Sequence, residues 1–204
     1  MIMKFKRIPV LTISLMLTLF GLHYLVDDKS QLNFSAGYIL KGEYWRLVSG
    51  HFMHADLQHL LWNCLGLAVL GSVLEYRSRG VLTISLGIGI IFVNALLLTP
   101  YSQLAYYCGL SGVLNTLLLV ALWLEWRITR SWLIVLIACG SIAKVLIEVL
   151  QGTSIVTHIS WPPYAWSHVA GLVGGLLVIL MMNVVDKISA RGFYPASAQL
   201  HHVP

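Results

Sequence analysis

Apolar runs close to twenty residues long recur along this chain, and no other feature constrains its fold as tightly. A helix of about twenty residues, rising about 1.5 Å per residue, matches the roughly 30 Å hydrocarbon thickness of a bilayer. Six such spans are read at residues 8–26, 52–74, 81–98, 108–124, 132–150 and 166–185. Pro100 breaks the chain after the third, and Pro162-Pro163 stops helical continuation between the last two. The hydrophobic content of 58% against 10% charged residues excludes an ordinary soluble domain. The expected architecture is therefore all-α: one polytopic six-helix membrane domain over residues 1–204, ending in a polar tail at 186–204.

The first span follows Lys4, Lys6 and Arg7, a pattern that signal peptides share. Its apolar part is long and no Ala-x-Ala-like cleavage site follows, so a retained helix is expected. Cys64, Cys108 and Cys139 lie in or beside apolar segments and form neither a disulfide framework nor a paired metal-thiolate spacing. The net charge of +5 comes mostly from residues outside the spans, which points to anionic lipid rather than nucleic acid.

Orientation follows from where Lys and Arg fall. Nine lie at the N-terminal end, the 75–80 and 125–131 turns and the tail; three, Lys29, Lys41 and Arg46, lie on the other side, all in the first loop. Both termini are expected in the cytoplasm. The second, fourth and sixth spans then all enter the bilayer from outside.

Each of those three spans begins with polar residues, which are costly at membrane depth and mark functional candidates. The second carries His51, His54, His59 and Asn63; at 100° per residue, His59 and Asn63 fall within about 40° of one another on a helical face. The fourth opens with Cys108-Gly109-Leu110-Ser111-Gly112, and Asn115 is the next residue on the face of Ser111. The sixth opens with Ser167-His168, with Gly171 and Gly175 on the face of His168. Small residues on such a face let another helix come close. Because all three spans start on one side, Ser111, His168 and the His59/Asn63 pair are expected at one depth.

That set suits acyl transfer. A serine hydroxyl needs an adjacent base to become nucleophilic, and a neutral imidazole can take its proton and return it to the leaving amine. The Ser111 main-chain N–H, the Asn63 amide and His59 are the candidate donors to an oxyanion. No acidic residue is placed to orient His168, so the reading is a dyad rather than a triad. Taken singly, each residue has a plainer explanation: a membrane serine bonding its own helix, an interfacial histidine, glycines that only pack. A metal held by His51, His54, His59 and His168 is the competing use, but their spacing lacks the i, i+4 pair with a general-base Glu; no metal or other cofactor is expected. Lys144 and Glu148, at i, i+4 in the fifth span, read as a structural ion pair or part of a transport path, and no inverted repeat supports transport.

These pieces resemble the rhomboid intramembrane serine proteases. The resemblance rests on Trp45-Arg46, His54-x4-His59-x3-Asn63, Glu75-x-Arg77, Gly109-Leu110-Ser111-Gly112 and His168-x2-Gly171-x3-Gly175, from about residue 45 to 180. The compact form with Cys-Gly-Leu-Ser-Gly-Val-Leu is similar to the rhombosortase subfamily. The resemblance implies Ser111 as nucleophile, His168 as general base, and His59 and Asn63 in the oxyanion hole. His54, Gly109, Gly112, Asn115, Gly171 and Gly175 would support the site, and Trp45-Arg46 would stabilise the first loop. The fifth span and the loop with Trp161-Pro162-Pro163 would gate lateral entry of a substrate helix. The implied substrates are transmembrane proteins bearing C-terminal Gly-Gly, transmembrane and basic tails. The implied place is the inner membrane of a Gram-negative bacterium, with the site open to the periplasm. The alternatives are a non-catalytic rhomboid-like chaperone and a small transporter.

The chain departs from the family pattern at two positions. Asn115 stands where many rhomboids carry an aromatic residue against the catalytic histidine, and a hydrogen bond from Asn115 would be one way to hold His168 instead. Leu110 stands where a smaller residue is common, which would reshape the substrate-facing pocket. The 99–107 connection is a candidate for a segment dipping toward the site.

Overall fold

A computed structural model describes residues 8–152 and 164–192, with side chains in the last helix as far as Lys187. Its long helices are α1 (Val10–Leu25), α4 (Leu57–Arg77), α5 (Arg79–Leu97), α6 (Ser111–Thr129), α7 (Trp132–Gln151) and α8 (Ala165–Gly192). Two short helices, α2 (Ala36–Ile39) and α3 (Arg46–Phe52), fold the first loop. The chain is thus an all-helical, polytopic bundle. Five helices, α4 to α8, are long and apolar enough to cross a membrane; α1 is apolar but shorter, at 16 residues.

Helix ends follow local chemistry. Asp56 starts α4 by accepting the His59 N–H at 2.7 Å, and Ser131 starts α7 by accepting the Leu133 N–H. The second expected span, read from residue 52, is therefore split: His51 and Phe52 close α3, and His54 lies in the connection before the Asp56 cap. The fourth was read from residue 108, but its helix begins at Ser111, after a non-helical approach. At the other end of the chain, α8 continues past Asp186 to Gly192, so the start of the expected polar tail is helical. Lys4, Lys6, Arg7, the Trp161-Pro162-Pro163 loop and residues 193–204 lie outside the described residues.

In the middle of the bundle, α6 packs against α4, α5 and α8, while α1 lies on α4. The main apolar cluster joins Leu60, Leu67, Leu82, Val113, Leu117 and Val178, all buried. Leu110 belongs to this cluster at 1% exposure. The end carrying the 75–80 and 125–131 turns is laced by charge. Glu75 accepts from the Leu11 and Thr12 N–H groups at the start of α1, at 3.0 and 2.8 Å. Arg77 pairs with Glu125 at 2.6 Å, and Arg127 pairs with Asp186 at 2.6 Å.

The opposite end is closed by the first loop. Arg46, 4% exposed, donates to the carbonyls of Ser30 and Asn33 at 2.6 and 2.8 Å, pairs with Glu43 and lies over the Tyr38 ring. Its partner in the expected Trp45-Arg46 clamp does little: Trp45 is exposed and its indole reaches the Gln31 carbonyl only at 3.5 Å. Phe34 exchanges two backbone hydrogen bonds with Tyr107, at 3.0 and 3.1 Å, so the loop is tied to the segment that leads into Ser111.

Candidate active site

The approach to Ser111 is built from backbone and buried polar contacts. Gly109 N–H donates to the Gly50 carbonyl of α3 at 3.0 Å, and the Tyr107 hydroxyl donates to the Gly109 carbonyl at 3.1 Å. Burial pushes the Tyr107 phenol up to about 12, so it remains a neutral donor. Gly109 itself has φ +119°, the left-handed region, and a Cβ there would lie 2.6 Å from His59 Nε2 and 3.7 Å from Asn63 Nδ2. Glycine therefore does two things at once. It permits the turn, and it lets the His59 ring and the Asn63 amide press against the backbone two residues before Ser111. Tyr107, Cys108 and Leu110 are all buried, so the chain leading into Ser111 runs inside the bundle.

Leu110 caps α6 without a side-chain hydrogen bond, so Ser111 opens the helix with first-turn N–H groups that have no intrahelical acceptor. Ser111 Oγ lies 3.1 Å from His168 Nε2. His168 sits one turn into α8 and is 5% exposed. Ser111 and His168 are thus in contact, and His59 and Asn63 lie against Gly109, two residues before Ser111.

The α6–α8 seam makes that distance possible. A Cβ on Gly171 would collide with the Gly112 carbonyl oxygen, and one on Gly112 would lie 3.0 Å from the Ser167 carbonyl oxygen. The two helices thus meet backbone to backbone, one residue from Ser111 and three from His168. Thr116 Oγ1 donates to the Gly171 carbonyl at 2.7 Å, a polar tie at the closest point. Gly175 continues the seam against Leu119.

His59 and Asn63 occupy one face of α4, both buried. Among the described residues, Asn63 Nδ2 and His59 Nδ1 have no hydrogen-bond partner although buried. An unpaired buried donor costs about 1–3 kcal/mol, so such groups in a native fold call for a reason. A substrate oxyanion beside Ser111 would supply one for the Asn63 amide. His54 supports this wall: its ring packs edge-on to His59 with centroids 5.0 Å apart, and its Nδ1 lies 3.2 Å from the Phe52 carbonyl oxygen. Burial lowers His54 to about 3, with the neighbouring His59 acting in the same direction, so it packs as a neutral ring.

Two expectations about His168 are corrected. Asn115 does not hold it; its Nδ2 donates to the Ser111 carbonyl at 2.9 Å, four residues back on its own helix. The residue behind His168 is Glu148, left out of the site by the sequence reading, whose Oε2 lies 3.2 Å from His168 Nδ1. The same oxygen lies 2.8 Å from Lys144 Nζ, so the expected i, i+4 pair exists but is continuous with the site. His51 faces elsewhere: its Nε2 lies 3.3 Å from Asn94 Oδ1, and Asn94 Nδ2 donates to the Leu47 carbonyl at 2.6 Å. Asn94, another residue the sequence did not single out, thereby binds α3 to α5. Among the described residues, no group of three or more His, Cys, Asp or Glu side chains is arranged to hold a metal.

A protein-family model described as a Rhomboid domain matches residues 41–184. The chain is 30% identical over 165 residues to Rhomboid protease GluP of Bacillus subtilis (strain 168), covering 79% of this chain and 30% of that protein. It is 33% identical over 168 residues to Rhomboid protease GlpG of Salmonella newport (strain SL254), covering 75% of this chain and 52% of that protein. It therefore spans about half, or less, of the length of these relatives.

Proposed function

From the premise that the chain belongs to the rhomboid family, we infer that it is an intramembrane serine endopeptidase acting through Ser111 and His168. The observation that carries this reading is the 3.1 Å separation of Ser111 Oγ and His168 Nε2, beside buried polar groups that find no partner among the described residues. His168 Nε2 takes the Ser111 proton as Oγ attacks the scissile carbonyl carbon. The carbonyl oxygen becomes an oxyanion, which the Asn63 amide, His59 and the Ser111 N–H stabilise. Collapse breaks the C–N bond, and His168 gives its proton to the departing amine. A water molecule, deprotonated by the same imidazole, then releases the acyl group and restores Ser111.

The substrates on this reading are transmembrane proteins, in keeping with the protease names of the relatives and with a site lying between apolar helices. The finer proposal is rhombosortase-type processing of C-terminal Gly-Gly, transmembrane and basic tails, supported by the Cys108-to-Leu114 pattern. Six spans with both termini in the cytoplasm, in a Gram-negative inner membrane, place the site toward the periplasm. The nine-to-three distribution of Lys and Arg supports that orientation.

A chaperone without catalysis would have no use for the Ser111–His168 contact. Transport through Lys144 and Glu148 is disfavoured by the engagement of Glu148 with His168. A fluorescent fluorophosphonate applied to the purified protein in detergent tests the reading. Labelling of the wild type, absent in Ser111→Ala and His168→Ala, is the expected result. Equal labelling of Ser111→Ala, or its unchanged cleavage of a transmembrane substrate, would refute it.

A further inference from the structure

We propose that Glu148 is a positioning residue for His168, making the catalytic arrangement a three-member line from α6 through α8 to α7. The inference rests on the serine protease reading above. Its geometric basis is a chain of three polar contacts. Ser111 Oγ lies 3.1 Å from His168 Nε2, His168 Nδ1 lies 3.2 Å from Glu148 Oε2, and that oxygen lies 2.8 Å from Lys144 Nζ.

A histidine acts as base toward a serine through Nε2 only if the ring proton sits on Nδ1, and the partner of Nδ1 decides that. A carboxylate accepts and cannot donate when ionised, so Glu148 selects the Nδ1–H tautomer and leaves Nε2 free to accept from Ser111. It also turns the ring toward Ser111 and stabilises the imidazolium formed when the hydroxyl proton arrives. Lys144 has a part in this. Glu148 is 1% exposed, and an ionised carboxylate so placed needs a counter-charge. Lys144, 38% exposed, supplies it from one helical turn away.

Burial along α7 argues that this contact is built rather than incidental. Of the described residues of α7, Val145 and Glu148 alone are buried. The helix otherwise presents leucine and isoleucine outward, so the one carboxylate on it is also one of the two points turned into the bundle. Among the described residues, the groups facing Glu148 and His168 come from several elements. Lys144 stands on α7, Ser111 on α6 and His59 on α4. Tyr107 belongs to the segment before Ser111, and the one charged residue of α5, Arg79, lies at the far end of that helix.

The test uses full-length protein in detergent, reading the rate of Ser111 labelling by a fluorophosphonate across pH 5–9, with thermal unfolding measured in parallel. Glu148→Gln is expected to label at least tenfold more slowly at neutral pH. The acid limb of its rate profile should move to lower pH, because an imidazolium without its carboxylate gives up its proton more readily. Glu148→Asp should recover part of the rate, and Lys144→Met should slow labelling less than Glu148→Gln does. A Glu148→Gln rate and profile within twofold of wild type would overturn the proposal. So would a slowed rate with an unmoved acid limb and no recovery in Glu148→Asp, since that pattern belongs to a residue that only supports the fold. If Glu148→Gln unfolds, Glu148→Asp and Lys144→Met decide: wild-type rates and profiles in both overturn it. Labelling that persists in Ser111→Ala signals instead that the serine reading has failed.

Discussion

The two helices that flank α6 near the site are held in opposite ways. α8 meets α6 with no side chain between backbones at Gly112 and Gly171, sealed by the Thr116 hydrogen bond. α7 touches the bundle lightly, turning inward Val145 and Glu148 among its described residues. Van der Waals packing and hydrogen bonds, rather than a hydrophobic drive, hold helices together in lipid. The seam between α6 and α8 therefore has much to hold it and the edge along α7 has little. His168, the proposed base, rides on the tightly held helix, and the Glu148 carboxylate behind it rides on the loosely held one. Stability and chemistry are thus divided between two neighbours, which makes the division open to experiment.

The sharpest contrast is between Gly171→Val and Ser111→Ala. Both are expected to reduce cleavage of a transmembrane substrate to background. The valine, forced against the Gly112 carbonyl, should also lower the unfolding temperature in detergent or prevent folding, whereas Ser111→Ala should melt like the wild type. Asn63→Ala comes next: removing one oxyanion donor costs about 10²–10³ in kcat. Its stability should hold or rise slightly, since a buried donor with no partner among the described residues is removed. Thr116→Val should weaken the seam by about 0.5–2 kcal/mol, the range for interhelical hydrogen bonds in membranes, with a severalfold loss of activity. Least affected should be Leu146→Ala on the outer face of α7, where 55% of the leucine is exposed. Activity within twofold and stability within about 0.5 kcal/mol are expected there. If Leu146→Ala proves as damaging as Thr116→Val, α7 is held more firmly than its burial implies.

The seam and the proposed Ser111–His168 pair were legible in the sequence, and the contrast with α7 explains why Glu148 was not. Spacing along one helix shows which residues share a face, and charge counts show which ends share a side. Together these bring Ser111, His168, His59 and Asn63 to one level. Glu148 has an obvious partner one turn away in Lys144, and that local pairing absorbs it. Its contact with His168 depends on the rotation of α7 about its own axis, which spacing within the helix does not fix. Asn115 illustrates the converse, since its standing where many rhomboids carry an aromatic residue suggested a reach toward His168 and its amide instead satisfies its own backbone. The break between α3 and α4 was signalled by Asp56, a good N-cap, but the apolar character of the flanking residues ran through it.

The contact of Gly171 with Gly112 also bears on tolerance. Where two helices touch through side chains, a change of rotamer can absorb a shift of several tenths of an ångström. Where backbone lies on backbone, the spacing is set by bond lengths and atomic radii, and nothing at the contact can flex to compensate. Sliding α8 by one residue would bring Ala170 or Leu172 against α6, and neither has room. The spacing of the α6 and α8 backbones that carry Ser111 and His168 thus inherits its accuracy from the covalent skeleton, as a gauge block sets a gap. Variation in bilayer thickness or temperature would be taken up elsewhere in the bundle before it reached that gap.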